Sequence, residues 1–125
     1  MLGNNVTEEL DLSGANLSYG DFEEATFRAT RSIKLSGANL TNADLSGSTL
    51  SAKGVGDDGK IDFSAADLTN ADLSGSNIAA EGYVHGEINF ANADLAHADL
   101  SGSTLAAEGG NESKITFREA NLAHA

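Results

Sequence analysis

The chain has 125 residues, the size of one domain, and its 19 acidic and 7 basic residues give a formal net charge of -12. This balance disfavours binding to nucleic acid or an anionic membrane and favours a basic protein partner. The absence of cysteine excludes disulfides and thiolate chemistry. The N-terminus, MLGNNVTEEL, lacks the basic and apolar regions of a signal peptide, and no segment approaches the ~20 apolar residues of a membrane span. We therefore expect no membrane association and favour a cytoplasmic location, although the sequence leaves the compartment open.

Large apolar residues recur every five positions along almost the whole chain. In chain order, the four complete runs are Leu12, Leu17, Phe22, Phe27; Leu35, Leu40, Leu45, Leu50; Phe63, Leu68, Leu73, Ile78; and Phe90, Leu95, Leu100, Leu105. A fifth run starts at Phe117 and Leu122, and a small residue stands two positions before most members. A period of five fits neither a helix, with a period of 3.6, nor a strand, with a period of 2. It predicts a coil in which four pentapeptides form the four sides of a square.

A longer period shows where the coils depart from plain squares. The first residues of successive runs are 23, 28, 27 and 27 positions apart, whereas four pentapeptides use 20. The surplus always follows the fourth unit, in SAKGVGDDGK, AAEGYVHGE and AAEGGNESK. We expect these insertions to project from one corner, one above another. Where the chain re-enters the coil the usual alanine is replaced, and we expect the replacements to fill the corner beneath the insertions: Ile33, Ile61, Ile88 and Ile115.

The tandem units, such as Ala38-Asn39-Leu40 and Ala43-Asp44-Leu45, resemble the A(D/N)Lxx repeat of the pentapeptide-repeat family. The resemblance covers the chain from about Leu10 to its end. It implies an all-β fold, a right-handed quadrilateral β-helix, here with about four and a half coils and a short insertion at one corner of each. We interpret residues 1–125 as one solenoid domain. Because the sequence stops within a coil, we expect either a C-terminally truncated fragment of a longer solenoid or an end that self-associates end to end.

Stacking of the coils places equivalent residues in columns. The predicted acidic interaction face consists of the aspartates that precede the large residue on sides two and three: Asp21, Asp44, Asp67, Asp72, Asp94 and Asp99. Neighbours in a column should lie ~5 Å apart, so like charges should raise one another's pKa unless hydrogen bonds from the backbone or from Ser and Thr offset the effect. Most basic residues fall near the insertion corner instead. A second candidate contact is the pair Tyr83 and His85 in one insertion, although these side chains could equally pack on the neighbouring insertions.

No pattern predicts catalysis or a cofactor. Residues 54–59 match GxGxxG, but the match does not join a strand to a helix within a βαβ unit, and its aspartates would repel phosphate. His97 and His124 fall in one column, where they could share a metal or simply occupy surface positions. No His, Ser and carboxylate form a recognisable triad. We therefore predict a non-enzymatic structural or protein-interaction module without cofactor. The family resemblance implies an alternative, a DNA-mimicking inhibitor or protector of the type II topoisomerase DNA gyrase.

Overall fold

Nine short strands make up the regular structure of the part of the chain that our computed structural model describes, which is residues 7–53, 58–110 and 112–125. In chain order they are β1 (Glu9–Asp11), β2 (Thr26–Ala29), β3 (Ser32–Lys34), β4 (Thr49–Lys53), β5 (Asp58–Asp62), β6 (Asn77–Glu81), β7 (His85–Asn89), β8 (Thr104–Glu108) and β9 (Lys114–Thr116). Each strand pairs only in parallel, with the strand one coil before or after it. The chain therefore winds as a β-solenoid.

Each coil begins on one sheet and ends on another. The odd-numbered strands make a five-stranded sheet, β1-β3-β5-β7-β9, which is side one, and the even-numbered strands make a four-stranded sheet, β2-β4-β6-β8, which is side four. Sides two and three are too short for strands and are joined by single parallel bridges, such as Asn39 to Asp67 and Asp44 to Asp72. The result is an all-β solenoid of about four turns, which confirms the fold class predicted from the repeat.

The core is a set of ladders, as the period of five predicts. The predicted inward residues of the middle coils are buried, and Leu68, Leu73 and Phe90 are fully so. On side one, the rings of Phe63 and Phe90 stack with centroids 4.8 Å apart, and Phe90 and Phe117 follow at 4.9 Å. Each fully buried large side chain contributes about 1.5–3 kcal/mol through removal of its apolar surface from water. The interior of the middle coils is therefore a filled core, whereas an apolar cavity of about 150 Å³ is lined by core residues of the first two coils, from Leu12 to Leu50.

The corners explain the polar, glycine-rich remainder of the repeat. On sides one to three, the second residue after the large apolar one takes a left-handed conformation, with φ of 65° at Gly37, 56° at Ala65 and 59° at Asn70. Glycine and asparagine tolerate this region best, which accounts for their recurrence there. His97 and His124 occupy the same kind of position, each with φ near 60°. Their place in the sequence is thus that of corner residues.

The insertions are continuations of the two sheets. We define the insertion stack as the described residues within 51–60, 79–87 and 106–114. Its flanks are the ends of β4, β6 and β8 and the beginnings of β5 and β7, paired in register from coil to coil. The two sheets approach so closely that a Cβ on Gly59 would lie 1.9 Å from the carbonyl oxygen of Glu81, and one on Gly86 would lie 2.3 Å from that of Glu108. Only glycine fits at these two positions.

The isoleucine column lies where the sequence places it. Ile33, Ile61 and Ile88 are fully buried at the base of the insertion stack, and Ile115 in the last coil is partly exposed. Residues 54–57, which carry most of the GxGxxG match, lie outside the described residues. Among the residues that are described, no helix is long and apolar enough to cross a membrane.

Candidate interaction faces

On sides two and three, each side of a coil starts with an Asp or Asn whose side-chain oxygen accepts a hydrogen bond from its own corner. Oδ1 of Asp44 accepts the backbone N–H of Ser46 at 2.9 Å and the Ser46 hydroxyl at 2.6 Å. Asn39 makes the same pair of contacts with Thr41, at 3.1 and 2.8 Å. Such contacts satisfy a backbone donor that the tight corner leaves without a ladder partner. Because Asn serves as well as Asp, the corner does not require the negative charge.

The six aspartates of the predicted acidic face lie in two columns, as expected. Bridges connect Asp21, Asp44, Asp72 and Asp99 successively along side three, and Asn39, Asp67, Asp94 and Asn121 successively along side two. We call these six carboxylates the acidic faces: Asp21, Asp44, Asp67, Asp72, Asp94 and Asp99. Among the described residues, no Lys, Arg or His forms an ion pair with any of them. The charge on these two sides is therefore uncompensated at contact distance.

Hydrogen bonding outweighs repulsion at two aspartates of the side-three column, Asp44 and Asp99. The hydroxyl of Ser46, followed by its backbone N–H, lowers the pKa of Asp44 from its usual value, and Ser101 does the same for Asp99. For these two residues the offset by Ser and backbone hydrogen bonds, which the sequence left open, exceeds the effect of neighbouring like charges on the pKa. The reason is that donors 2.6–2.9 Å from Asp44 act at shorter range than the next carboxylate, about 5 Å away.

The second candidate contact, Tyr83 and His85, divides into two environments. The Tyr83 side chain is 77% exposed, and its neighbour Val84 is 41% exposed, so together they form an apolar tip on the insertion stack. His85 instead contacts both neighbouring insertions: Nδ1 lies 2.7 Å from Oδ1 of Asp58, and Nε2 lies 2.8 Å from Oε2 of Glu112. Packing on the neighbouring insertions is thus the observed state of His85, while the Tyr83 side chain is exposed.

Sequence reasoning missed Asp58 and Glu112 as partners of His85. The signal was present, because residues 58, 85 and 112 are 27 apart, which is the period of these coils. Side one carries further contacts between unlike charges, at 4.0 Å from Lys60 to Glu87 and, on the sheet behind, at 3.2 Å from Lys53 to Glu81. Most basic residues therefore lie near the insertion stack, as predicted, and three of them, Lys34, Lys53 and Lys60, are paired with acids of adjacent coils.

Two groups of side chains resemble metal sites without completing one. The rings of His97 and His124 stack with centroids 4.8 Å apart and an interplanar angle of 12°, so their lone pairs run parallel and do not converge on one point. Carboxylate oxygens of Asp21, Glu23 and Asp44 lie within 4.8 Å of one another at the exposed N-terminal end. Exposed acidic groups of this kind are common without an ion. Neither group indicates a metal centre.

Parallel strands that each return one coil later define a class of protein, the β-solenoids. Within this class, the family model for pentapeptide repeats matches residues 31–51, 59–79 and 86–106 with eight copies, which together make up half of the chain. The chain belongs to the pentapeptide-repeat family. The segments between the matched ranges coincide with most of the insertion stack, which confirms that these residues are additions to the repeat. A comparison with curated proteins found no match.

Proposed function

We propose that the chain is a non-enzymatic interaction module that binds a basic macromolecular surface through its acidic faces. The observation that carries the proposal is that Asp stands at most of the corner positions where Asn could serve equally well. Asn caps the corner at positions 16, 39 and 121, yet the equivalent positions 21, 44, 67, 72, 94 and 99 carry Asp. The corner alone does not require this charge, so the charge is available to a partner.

The rigid backbone supports such a role. Neighbouring carboxylates within a column are held ~4.8 Å apart by the ladder, so the face is preorganised and a partner need not order it. Flat, uncompensated charge accelerates encounter with an oppositely charged surface and favours it over other surfaces. The pKa shifts of Asp44 and Asp99 act in the same direction, because they keep these carboxylates charged in mildly acidic solution.

The test compares two variants of equal net charge. In the first, Asp44→Asn, Asp72→Asn and Asp99→Asn neutralise side three while retaining the amide oxygen that caps each corner. In the second, Glu8→Gln, Glu81→Gln and Glu108→Gln remove three charges outside the acidic faces. The probe is a fluorescently labelled lysine-rich peptide, and circular dichroism melts establish that both variants fold. We expect the first variant to bind the peptide several-fold more weakly than the second. Equal losses would mean that the peptide responds only to net charge, which would overturn the proposal.

Mimicry of duplex DNA is the second candidate, and charge density favours it only locally. Where both columns carry Asp, at 67 with 72 and at 94 with 99, the faces present two charges per coil. This is roughly one charge per 2.4 Å of axis, against one per ~1.7 Å in DNA. The dense region spans only two coils. A gyrase supercoiling assay tests it: inhibition at low micromolar protein that is lost in the side-three variant would favour mimicry, and no inhibition would exclude it for this chain.

A further inference from the structure

The contact at His85 differs from the other ion pairs of the solenoid because it joins three successive coils. Asp58 begins β5, His85 begins β7 and Glu112 precedes β9, so the imidazole lies in the middle coil between two carboxylates. Both ring nitrogens are used, at 2.7 and 2.8 Å. Beside it, the backbone N–H of Gly86 donates to the hydroxyl of Ser113 at 3.0 Å, which ties the same two later coils.

This geometry is compatible with only one protonation state. A carboxylate can only accept a hydrogen bond, and a neutral imidazole has one donor and one acceptor nitrogen. With His85 neutral, one of the two contacts would therefore place a ring lone pair against a carboxylate oxygen. With His85 protonated, both nitrogens donate and both contacts are charge-assisted.

His85 lies in a recess with other charged residues, and none of them replaces its contacts with Asp58 and Glu112. Lys60 of β5, Glu87 of β7 and Lys114 of β9 line the same recess, whose volume is about 660 Å³. Lys60 lies 3.9 Å from Asp62 and 4.0 Å from Glu87, so its charge is directed toward those acids. On the sheet packed behind, Glu81 and Glu108 line a separate groove with Lys53 and Arg28. His85 is thus the cation in contact with Asp58 and Glu112 among the described residues.

We propose that His85 is a proton-operated latch that ties three layers of the insertion stack together and thereby orders the exposed tip at Tyr83 and Val84. The tip immediately precedes His85 in the chain, and the backbone N–H of Gly110 in the next coil donates to the carbonyl of Val84 at 2.9 Å. Protonation closes the latch, and deprotonation removes the side-chain ties to Asp58 and Glu112, so that the tip keeps only its backbone hydrogen bonds to the neighbouring coils. A partner that contacts Tyr83 would therefore meet a pH-dependent surface.

The sign of the effect follows from the direction of the pKa shift. Hydrogen bonds to Asp58 and then to Glu112 raise the pKa of His85 above its usual 6.5. The stabilisation is fully present below pH 6.5 and is lost as the pH rises through the higher pKa of the folded protein. The latch thus opens at a higher pH than that at which an ordinary histidine loses its proton.

The first test is an NMR titration of the His85 ring nitrogens. His97→Asn and His124→Asn remove the other two imidazoles, and Asn is the natural residue in their column at Asn42 and Asn70. In this background we expect His85 to titrate at a higher pH than in the same protein with Asp58→Asn and Glu112→Gln added. An unchanged titration midpoint would overturn the latch. This measurement is independent of whether the acidic faces bind a partner.

The second test is amide hydrogen exchange in His85→Asn and in His85→Arg, whose guanidinium stays charged at every pH. At pH 6 we expect the amides of Gly86 and Gly110 to exchange about two- to five-fold faster in His85→Asn than in the wild type. The amides of Leu40 and Leu68 in the core should not change. At pH 9 the wild type should match His85→Asn, while His85→Arg should stay protected. Equal rates in the wild type and His85→Asn at pH 6 would show that no latch operates.

Discussion

The acidic faces and the insertion stack differ in how they accommodate charged residues in stacked coils. A solenoid places equivalent residues of successive coils side by side, so a charged residue that recurs in the repeat lies next to a residue of the same charge one coil away. On side three the column repeats Asp, and on side two it holds Asp or Asn. Each carboxylate is bonded within its own corner, as Asp44 is to Ser46. In the insertion stack the residue changes from coil to coil, as from Asp58 to His85 to Glu112.

The two arrangements couple the coils differently. A corner-bonded Asp stabilises its own coil and leaves its charge directed to the solvent. A contact such as Lys60 to Glu87 or His85 to Glu112 stabilises the interface between coils and neutralises charge. Because the stability of a solenoid is approximately a sum of terms within repeats and between neighbours, the acidic faces act on the first and the insertion stack on the second. The surface that carries free charge is therefore separate from the surface that responds to a neighbouring coil.

The largest expected effect comes from the core that both regions share. Leu73 is fully buried beneath side three in the middle coil, and Leu73→Asp would place an unpaired charge there. The cost would consume a large part of the ~5–15 kcal/mol that stabilises a typical domain. We expect loss of the cooperative melt in circular dichroism. Asp72→Asn, at the adjacent outward position, is the control and should melt normally. A cooperatively folded Leu73→Asp protein would contradict the assigned register.

A smaller and local effect is expected in the insertion stack from Gly86→Ala. The added Cβ would lie 2.3 Å from the carbonyl oxygen of Glu108 and 2.4 Å from that of Ala80, so the two sheets would have to separate. We expect a loss of roughly 1–3 kcal/mol, typical of overpacking. Exchange should accelerate in the insertion stack before the rest of the solenoid.

The control for Gly86→Ala is Gly37→Ala. Gly37 has a left-handed φ of 65° with nothing within 4 Å of an added Cβ, and Ala65 occupies the same corner of the next coil with φ of 56°. The protein therefore already tolerates alanine in this conformation. If Gly37→Ala is as disruptive as Gly86→Ala in thermal melts, the close approach of the two sheets is not what demands glycine at 86.

The sequence predicts the parts of the molecule that follow from periodicity alone. Apolar residues at a spacing of five identify the four sides, and the surplus after Leu50 or Ile78 locates the insertions. The isoleucine column follows from the break in the alanine pattern at Ile61. The same counting places Asp44, Asp72 and Asp99 in one column, because each ladder joins residues one coil apart.

What the sequence did not predict depends on side-chain reach and on contacts between sheets. The glycine-rich insertions gave no sign that they continue both sheets, because Gly59 has no strand propensity and its role comes from the nearby backbone of Glu81. The lowered pKa of Asp44 depends on where the Ser46 hydroxyl points. His85 was identified as a contact candidate, but its two partners required knowledge that both carboxylates lie within hydrogen-bond distance.

The next largest expected effect is the loss of stability when the corner hydrogen bond of Asp72 is removed, as distinct from its charge. Oδ1 of Asp72 accepts the backbone N–H of Ser74 at 2.9 Å. Asp72→Ala removes this acceptor and should cost about 1 kcal/mol, whereas Asp72→Asn retains it and should change stability by less than about half that amount. Denaturant melts at pH 7 measure both. Equal destabilisation by Ala and Asn would mean that the charge of Asp72, rather than its corner hydrogen bond, stabilises the coil.

The smallest expected effect is the response of the acidic faces to acid, and its sign is opposite to that of the His85 latch. The pKa values of Asp44 and Asp99 lie below the usual 3.8 in the folded protein. Their contribution to stability is therefore present above pH 3.8 and is lost as the pH falls through the lower folded values. Ser46→Ala with Ser101→Ala removes the hydroxyls that cause most of the shift, so acid unfolding should begin at a higher pH than in the wild type.

Thr41→Ala is the matched control for this acid response. Thr41 donates its hydroxyl to Asn39 at 2.8 Å, and an amide does not titrate in this range. The variant should lose stability to the same extent at every pH, measured by denaturant melts between pH 2.5 and pH 7. If the serine variant also lost stability uniformly, its hydroxyls would act as ordinary corner hydrogen bonds and not through the ionisation of Asp44 and Asp99. Acid would then weaken the acidic faces no more than it weakens the amide-capped corners beside them.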